Sequence, residues 1–211
     1  MTRKPALDPQ RPSAELLLRV YASGIFPMVD PRTGAIEYYS PDPRAVIPLE
    51  RFHVPKSLAR VVARRVFELR TDSAFERVIR ACSETRPGRR ETWLDERLIE
   101  AYVELHAHGL AHSVEAYRDG RLVGGLYGVQ IGAAFFGESM FSRPTLGGTD
   151  ASKVCLVELV TRLRSGGFTL LDTQFTTPHL ERFGCVEIPR ARYLALLADA
   201  IRGEASFSRS E

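Results

Sequence analysis

The chain is poor in cysteine: Cys82, Cys155 and Cys185 stand far apart, odd in number and without a CxxC pair. That argues against a disulfide framework and against a structural zinc site, and it fits a reducing compartment. Long apolar runs are missing too, since none approaches the ~20 residues that span a bilayer. The N-terminal MTRKPALDPQRPS is basic and proline-rich but has no apolar h-region, so it is not a secretory signal. The expected compartment is the cytoplasm. Strong charge of one sign is also lacking: a net charge of +3 permits a polyanionic partner without demanding one. No internal repeat or low-complexity tract is present.

What is present suffices for one well-packed domain, or a domain with a small extra lobe, given 211 residues of ordinary apolar content. The most informative stretch is Arg121 to Arg143, RLVGGLYGVQIGAAFFGESMFSR. It reads as two buried strands that carry one acidic residue, Glu138, among Phe135, Phe136, Met140 and Phe141. A carboxylate in that company is costly to desolvate, so it needs a partner or a purpose. A later strand, Phe168 to Gln174, ends in Asp172 and Gln174. Strand residues two apart share a face, so both are expected to point into whatever Glu138 lines.

Taken in order, residues 1 to 12 read as a disordered tail, and Ser13 as the cap of a helix from Ala14 to Ala22 that stops near Gly24. Gly24 to Met28 and Tyr38 to Arg44 flank a polar turn, and the prolines of YYSPDPR bar helix and central strand there. The aromatics of this region serve equally as a platform for a flat ligand or as wedges between lobes. Pro55 opens a helix running to about Val66, on which Lys56, Arg60 and Arg64 share one face, with Arg65 beside them. A second basic cluster is Arg86, Arg89 and Arg90. Each cluster is either a solvated face or a phosphate-tracking surface.

Asp72 is expected to cap a helix from Ser73 to Ser83, and a further helix spans Leu94 to His108. Just before it lies the lone Trp93, the type of residue that most often anchors a core. His106, His108 and His112 form no metal set, because the first two diverge on a helix and no carboxylate or cysteine completes them. His112 to Tyr117 alternates as a strand, and Asp119-Gly120 is a hairpin turn. Beyond the two buried strands, a polar, flexible loop from Arg143 leads to Asp150, read as the cap of a helix from Ala151 to Ser165. A short helix follows at Thr177 and Pro178, then a strand from Cys185 to Ile188, a helix from Ala191 to Ile201 and a polar tail. This order predicts an α/β fold with a mixed sheet.

The motifs GIFP (24–27), SPDPRAV (40–46), FHVPKSL (52–58), TWL (92–94), AHSVE (111–115), LVGGLYGV (122–129), FFGESMFSR (135–143), ASK (151–153) and DTQ (172–174) occur in that order. Together they resemble the bacterial leucyl/phenylalanyl-tRNA–protein transferase family across roughly residues 13 to 200. The resemblance implies a GNAT-like (acyl-CoA N-acyltransferase-like) domain over 45–211 with a small N-terminal lobe over 1–44. It also implies transfer of Leu or Phe, with Met a further donor, from aminoacyl-tRNA to proteins that begin with Arg or Lys, marking them for proteolysis.

That donor is an activated ester, so neither metal, cofactor nor covalent nucleophile is required. The chemistry calls for positioning, removal of an ammonium proton and an oxyanion partner. By position in the family pattern, Asp172, Gln174 and Glu138 become the catalytic candidates: Asp172 to orient Gln174 and the amine, Gln174 to position the amine or polarise the carbonyl, Glu138 to hold the cationic acceptor. Proton removal falls to Asp172 or to water. Leu126, Phe135, Met140, Leu156, Leu159 and Leu171 become the aminoacyl pocket. Trp93, Met28 and Tyr39 become contacts of the terminal adenosine, and Lys56, Arg60 and Arg64 contacts of the tRNA backbone. The chain departs from the family at Met28, where Trp is common, and in the longer 144–149 loop, at Asp150 and at Thr177. These departures leave room for a changed donor or for acidic acceptors. A CoA-dependent N-acetyltransferase is the rival enzyme, but Leu146 stands where its pyrophosphate loop needs glycine. A non-catalytic tRNA-binding module would leave the paired carboxylates unexplained.

Overall fold

The computed structural model describes residues 8–85 and 92–208. Arg86, Arg89 and Arg90, with residues 1–7 of the expected tail, lie outside them. Helix α1 (Ala14–Ala22) starts on Ser13, whose hydroxyl accepts the Leu16 N–H. It leads into a hairpin of β1 (Phe26–Val29) and β2 (Ile36–Tyr39), which forms a sheet of its own. Residues 8–12 are not a loose tail: the side-chain amide of Gln10 bonds both the N–H and the carbonyl of Ile36 at the hairpin's end.

Among the described residues the main sheet holds seven strands, and its spatial order is set by non-local pairing. In chain order they are β3 (Arg44–Val46), β4 (Glu68–Thr71), β5 (Ala111–Arg118), β6 (Arg121–Ile131), β7 (Ala134–Ser142), β8 (Leu170–Gln174) and β9 (Val186–Ile188). In space they run β4-β5-β6-β7-β8-β3-β9. Every neighbouring pair is antiparallel except β7 and β8. Pro41 and Pro43 fall in the gap between β2 and β3, so the sheet begins at Arg44, the first residue free of them.

Helices cover both faces. On one face α1, α3 (Phe75–Ser83), α4 (Glu96–Ala107) and α7 (Arg190–Ala200) bury Leu17, Ile79, Leu98 and Leu197 against Tyr127, Val129 and Phe136. On the other, α2 (Lys56–Ala63) and α5 (Ala151–Ser165) bury Leu58, Leu159 and Leu163 against Leu126, Phe135 and Leu171. A single turn, α6 (Pro178–Glu181), capped by Thr177, sits beyond β8. Among the described residues no helix is long and apolar enough to cross a membrane.

Several local expectations change once tertiary partners are visible. Asp72 does not cap α3; its carboxylate accepts the Ser113 N–H and meets His112, while buried Glu115 accepts from Ser73 and Ala74 at that helix's start. Asp150 likewise forms no cap, being left-handed (φ 65°) and paired with Lys153; the Ser142 hydroxyl accepts the Ser152 N–H instead. The 144–150 loop carries a 3-10 turn at Pro144–Leu146, and Gly148 packs under the Val123 carbonyl. The C-terminal tail returns to the core, where Phe207 is buried between the rings of His112 and Phe135.

The strands β6 and β7 pack so closely that one glycine is sterically required. A Cβ on Gly128 would overlap the Phe136 carbonyl oxygen and the Phe135 ring. Gly128→Ala is therefore expected to destabilise the fold by ~1–3 kcal/mol through overpacking. In thermal unfolding that is a loss of several degrees, about 2–4 °C per kcal/mol at this size.

Candidate active site

Strands β7 and β8 are joined by the α5 crossover, and they pair only from Ala134–Phe136 to Leu170–Asp172. Beyond that point β7 continues to Ser142 and the strands part. The gap is a cavity of about 260 Å³, lined on β7 by Gly137 to Met140 and on β8 by Leu171, Thr173 and Gln174. Leu126, Tyr127, Leu156 and Leu159 form the rest of its floor, and Thr177, His179 and Leu180 close it from α6.

Glu138 enters this cavity because of a β-bulge. Tyr127 pairs with Ser139 and Gly128 with Gly137, which leaves Glu138 as the extra residue. A bulge re-aims one side chain out of the regular alternation. Its carboxylate accepts from the Gln174 side-chain amide at 3.2 Å and from the Tyr102 hydroxyl at 3.3 Å. The Tyr102 hydroxyl in turn lies 2.6 Å from that of Tyr21, both tyrosines being buried.

Asp172 occupies a different place from the one its spacing predicts. It is fully buried and points away from the cavity, on the face of Leu170, whereas Leu171 and Thr173 face the cavity. Alternation alone would send Gln174 the same way as Asp172. Gln174 has a left-handed backbone (φ 60°), and its side-chain amide lies on Glu138 at the cavity. Asp172 holds that turn: its Oδ1 accepts the Gln174 N–H at 2.9 Å.

The partner of Asp172 is Arg44. Its Nε and Nη2 reach Oδ1 and Oδ2 at 2.9 and 2.6 Å, with the side chains 1% and 0% exposed. Arg44 Nη1 donates to the Gly24 carbonyl at 3.0 Å, and the Tyr193 hydroxyl donates to Asp172 Oδ2 at 2.8 Å. The guanidinium lies between the Phe26 and Tyr193 rings, 4.7 and 4.5 Å from their centroids. Every polar group of the pair is thus satisfied away from water, which is what lets a buried charge pair persist.

Desolvation dominates at Glu138 and pushes its carboxyl up to about 8. The hydroxyls of Tyr21 and Tyr102 and the charge of Arg44 pull it down, and Asp172 pushes it further up. An acid poised near 8 can hold a proton at neutral pH and release it with little cost.

The remaining predicted residues divide. Leu126, Met140, Leu156, Leu159 and Leu171 line the cavity. Phe135 does not; it is fully buried on Phe168 and Phe207, in the space that Gly128 leaves for its ring. Trp93 and Met28 are partly buried against the core, and the Trp93 carbonyl accepts the Val29 N–H. Tyr39 is exposed and stacks on Phe26, which also meets the exposed Phe175 edge-on. Lys56 and Arg60 are exposed on α2, with Arg64 exposed at its C-terminal cap.

Comparison with known proteins identifies the family. A family profile described as leucyl/phenylalanyl-tRNA protein transferase matches residues 46–198, and the profile of that family's N-terminal domain matches residues 10–42. A leucyl/phenylalanyl-tRNA–protein transferase of Paramagnetospirillum magneticum is 56% identical over 94% of this chain and 93% of its own. One of Herpetosiphon aurantiacus is 56% identical over 94% and 99%. The chain belongs to the leucyl/phenylalanyl-tRNA–protein transferase family. A solved ribosomal-protein-alanine N-acetyltransferase of Brucella melitensis is similar at 16% identity and a TM-score of 0.39, over 55% of this chain and 86% of that one.

Four residues of this family member's site escape sequence reasoning as functional positions: Arg44, Tyr21, Tyr102 and Tyr193. Arg44 had a signal of a kind, since an arginine at the head of the apolar run Ala45 to Ile47 is costly to bury without a partner. The tyrosines had none beyond their helical spacing.

The raised pKa of Glu138 makes a stability prediction. Between the unfolded carboxyl value near 4.3 and about 8, the folded chain holds a proton that the unfolded chain has lost. The contribution of this residue is therefore full below the unfolded value and disappears as pH rises through about 8. Glu138→Gln, which keeps the neutral shape, is expected to raise Tm more at pH 8 than at pH 5, by roughly 3 °C or more. Calorimetry of both proteins across that range checks it.

Proposed function

We propose that this protein transfers Leu or Phe, with Met a further donor, from aminoacyl-tRNA to the α-amine of proteins that begin with Arg or Lys, marking them for proteolysis. Membership of the family supports this, and one observation carries the chemistry: an apolar cavity sized for a single side chain opens beside one carboxyl poised near neutrality. The donor's side chain fills the cavity over Leu126, Met140, Leu156, Leu159 and Leu171. Its ester carbonyl then stands at the rim, near Glu138 and Gln174.

The acceptor arrives as an ammonium ion and must lose a proton before it attacks. A free α-amine has a value near 7.7–8.0, close to the about 8 of Glu138, so proton transfer between them is nearly balanced. The amine nitrogen bonds the ester carbon, its second proton passes to water, the carbon–ribose oxygen bond breaks as the tetrahedral intermediate collapses, and the ribose oxygen leaves with the proton that Glu138 received. We assign the proton to Glu138 rather than Asp172, because both oxygens of Asp172 are occupied by Arg44, Tyr193 and the Gln174 N–H. The Gln174 amide orients Glu138 and faces the developing oxyanion.

We also take residues 1–44 as a small lobe and 45–211 as a GNAT-like catalytic domain acting in the cytoplasm. The separate β1–β2 sheet supports that division. The exposed Lys56, Arg60 and Arg64 follow the tRNA phosphates, a contact blind to sequence. Trp93, Met28 and Tyr39 border the terminal adenosine.

The test offers tRNA charged with labelled Leu, Phe, Met or Arg to peptides beginning with Arg, Lys, Asp, Glu or Ala. Leu and Phe are expected on the Arg and Lys peptides only. Transfer onto Asp or Glu peptides would overturn the acceptor assignment, and acetylation from acetyl-CoA without any aminoacyl transfer would overturn the reaction. In the same assay kcat/KM is expected to rise with pH through an acid limb near 8. Glu138→Gln should lower kcat ~10²–10⁴-fold, the usual share of a general base, while KM for charged tRNA changes little.

A further inference from the structure

We propose that Arg44 is a positioning residue for the transfer reaction: by clamping Asp172 it holds Gln174 in the turn that places its amide on Glu138, and by holding Gly24 it fixes the hairpin segment to the same point. This rests on the transfer reaction proposed above and extends it to a residue that touches no substrate.

The geometry is a chain of single contacts. Three nitrogens of Arg44 are committed, two to the carboxylate of Asp172 and one to the Gly24 carbonyl. The clamped Oδ1 of Asp172 accepts the Gln174 N–H. A non-glycine residue in the left-handed region is sterically disfavoured, so the Gln174 turn needs such an anchor. With φ at 60° at Gln174, its side-chain amide donates to Glu138 Oε1. Asp172 alone would not suffice, since an unclamped buried carboxylate either takes a proton or swings to another donor. A lysine carries the charge but not the planar fork, and so cannot hold both oxygens and the carbonyl together.

The test compares Arg44→Lys with the wild type. The lysine keeps the positive charge beside Asp172, so the fold survives at a lower Tm. The groups that face Glu138 are the Tyr102 hydroxyl from α4, the Tyr21 hydroxyl from α1, Asp172 and Gln174 from β8, Arg44 from β3 and Tyr193 from α7. In Arg44→Lys their charges are unchanged, while Asp172 and Gly24 lose their shared clamp and Gln174 loses its fixed placement. Loss of the Gln174 hydrogen bond withdraws support from the ionised carboxyl, so its titration moves upward.

Two measurements read this. The carboxyl carbon of Glu138, followed by NMR through a pH titration, is expected to move up by half a pH unit or more in Arg44→Lys. It needs no substrate, so it stands apart from any failure of the transfer assay. In steady-state transfer, kcat is expected to fall at least tenfold, with KM for charged tRNA and peptide within threefold. The double variant Arg44→Met with Asp172→Asn, which removes both buried charges and spares the fold an unpaired one, is expected to lose kcat similarly. An unmoved Glu138 titration in Arg44→Lys, or wild-type kcat in either folded variant, would overturn the proposal and leave Arg44 a purely structural residue.

Discussion

The buried pair of Arg44 and Asp172 is the contact on which the rest of the structure depends. Removing two charges from water costs several kcal/mol per ion, and attraction repays it only with near-ideal geometry. Here the geometry is bidentate, both remaining lone-pair directions of Asp172 are taken by Tyr193 and the Gln174 N–H, and the spare Arg44 nitrogen meets Gly24. Such a pair adds little to net stability over an apolar substitute. It does specify one arrangement, because any shift of Gly24, β3, β8 or α7 leaves a buried charge unsatisfied.

That constraint is what allows the adjacent cavity to be open. β7 and β8 would gain more hydrogen bonds by pairing to their ends, yet they part after Phe136 and Asp172. The bulge at Glu138 and the left-handed Gln174 both occur just past that point. Each irregularity leaves backbone groups without ladder partners and turns one side chain into the gap. The β8 side is held open by Asp172 and the β7 side by the Tyr21–Tyr102–Glu138 hydrogen bonds, whose tyrosines come from α1 and α4. The helices on that face thus set the reactive carboxyl as well as covering the sheet.

How far the sequence leads depends on the range of the interaction. The two long strands, the Asp119-Gly120 turn and the helix from Ala151 to Ser165 were legible because period and turn chemistry are local. The need of Glu138 for a partner was legible from its apolar neighbours, though the identity of Tyr102, thirty-six residues away, was not. Capping was misjudged at Asp72 because Ser113 on β5 takes its carboxylate, and at Asp150 because of its left-handed backbone and local pairing with Lys153. Phe135 could not be told from a pocket residue, because strand alternation puts it on the same face as Leu126 and Leu171 and only its packing on Phe207 withdraws it. The expectation that Asp172 and Gln174 both point into the cavity was met by Gln174 alone, because Asp172 is held on Arg44 and Tyr193. A φ of 60° at a glutamine has no signature in the sequence.

The same desolvation that fits Glu138 for its proposed role works against the fold. A carboxyl held near 8 is one the protein would rather keep protonated, and each unit of that shift is stability lost at higher pH. A glutamine there would be quieter and inert. The apolar floor of Leu126, Leu156, Leu159 and Leu171 cannot be made more polar to relieve the strain without losing the side-chain pocket it forms. What remains adjustable is the ring of partners: two tyrosine hydroxyls that support the ionised form, and a buried ion pair whose opposite charges act on Glu138 in opposite directions. Because Arg44 and Asp172 act on Glu138 in opposite directions, the pair can fix the geometry of Gln174 while each offsets part of the other's pull on the carboxyl.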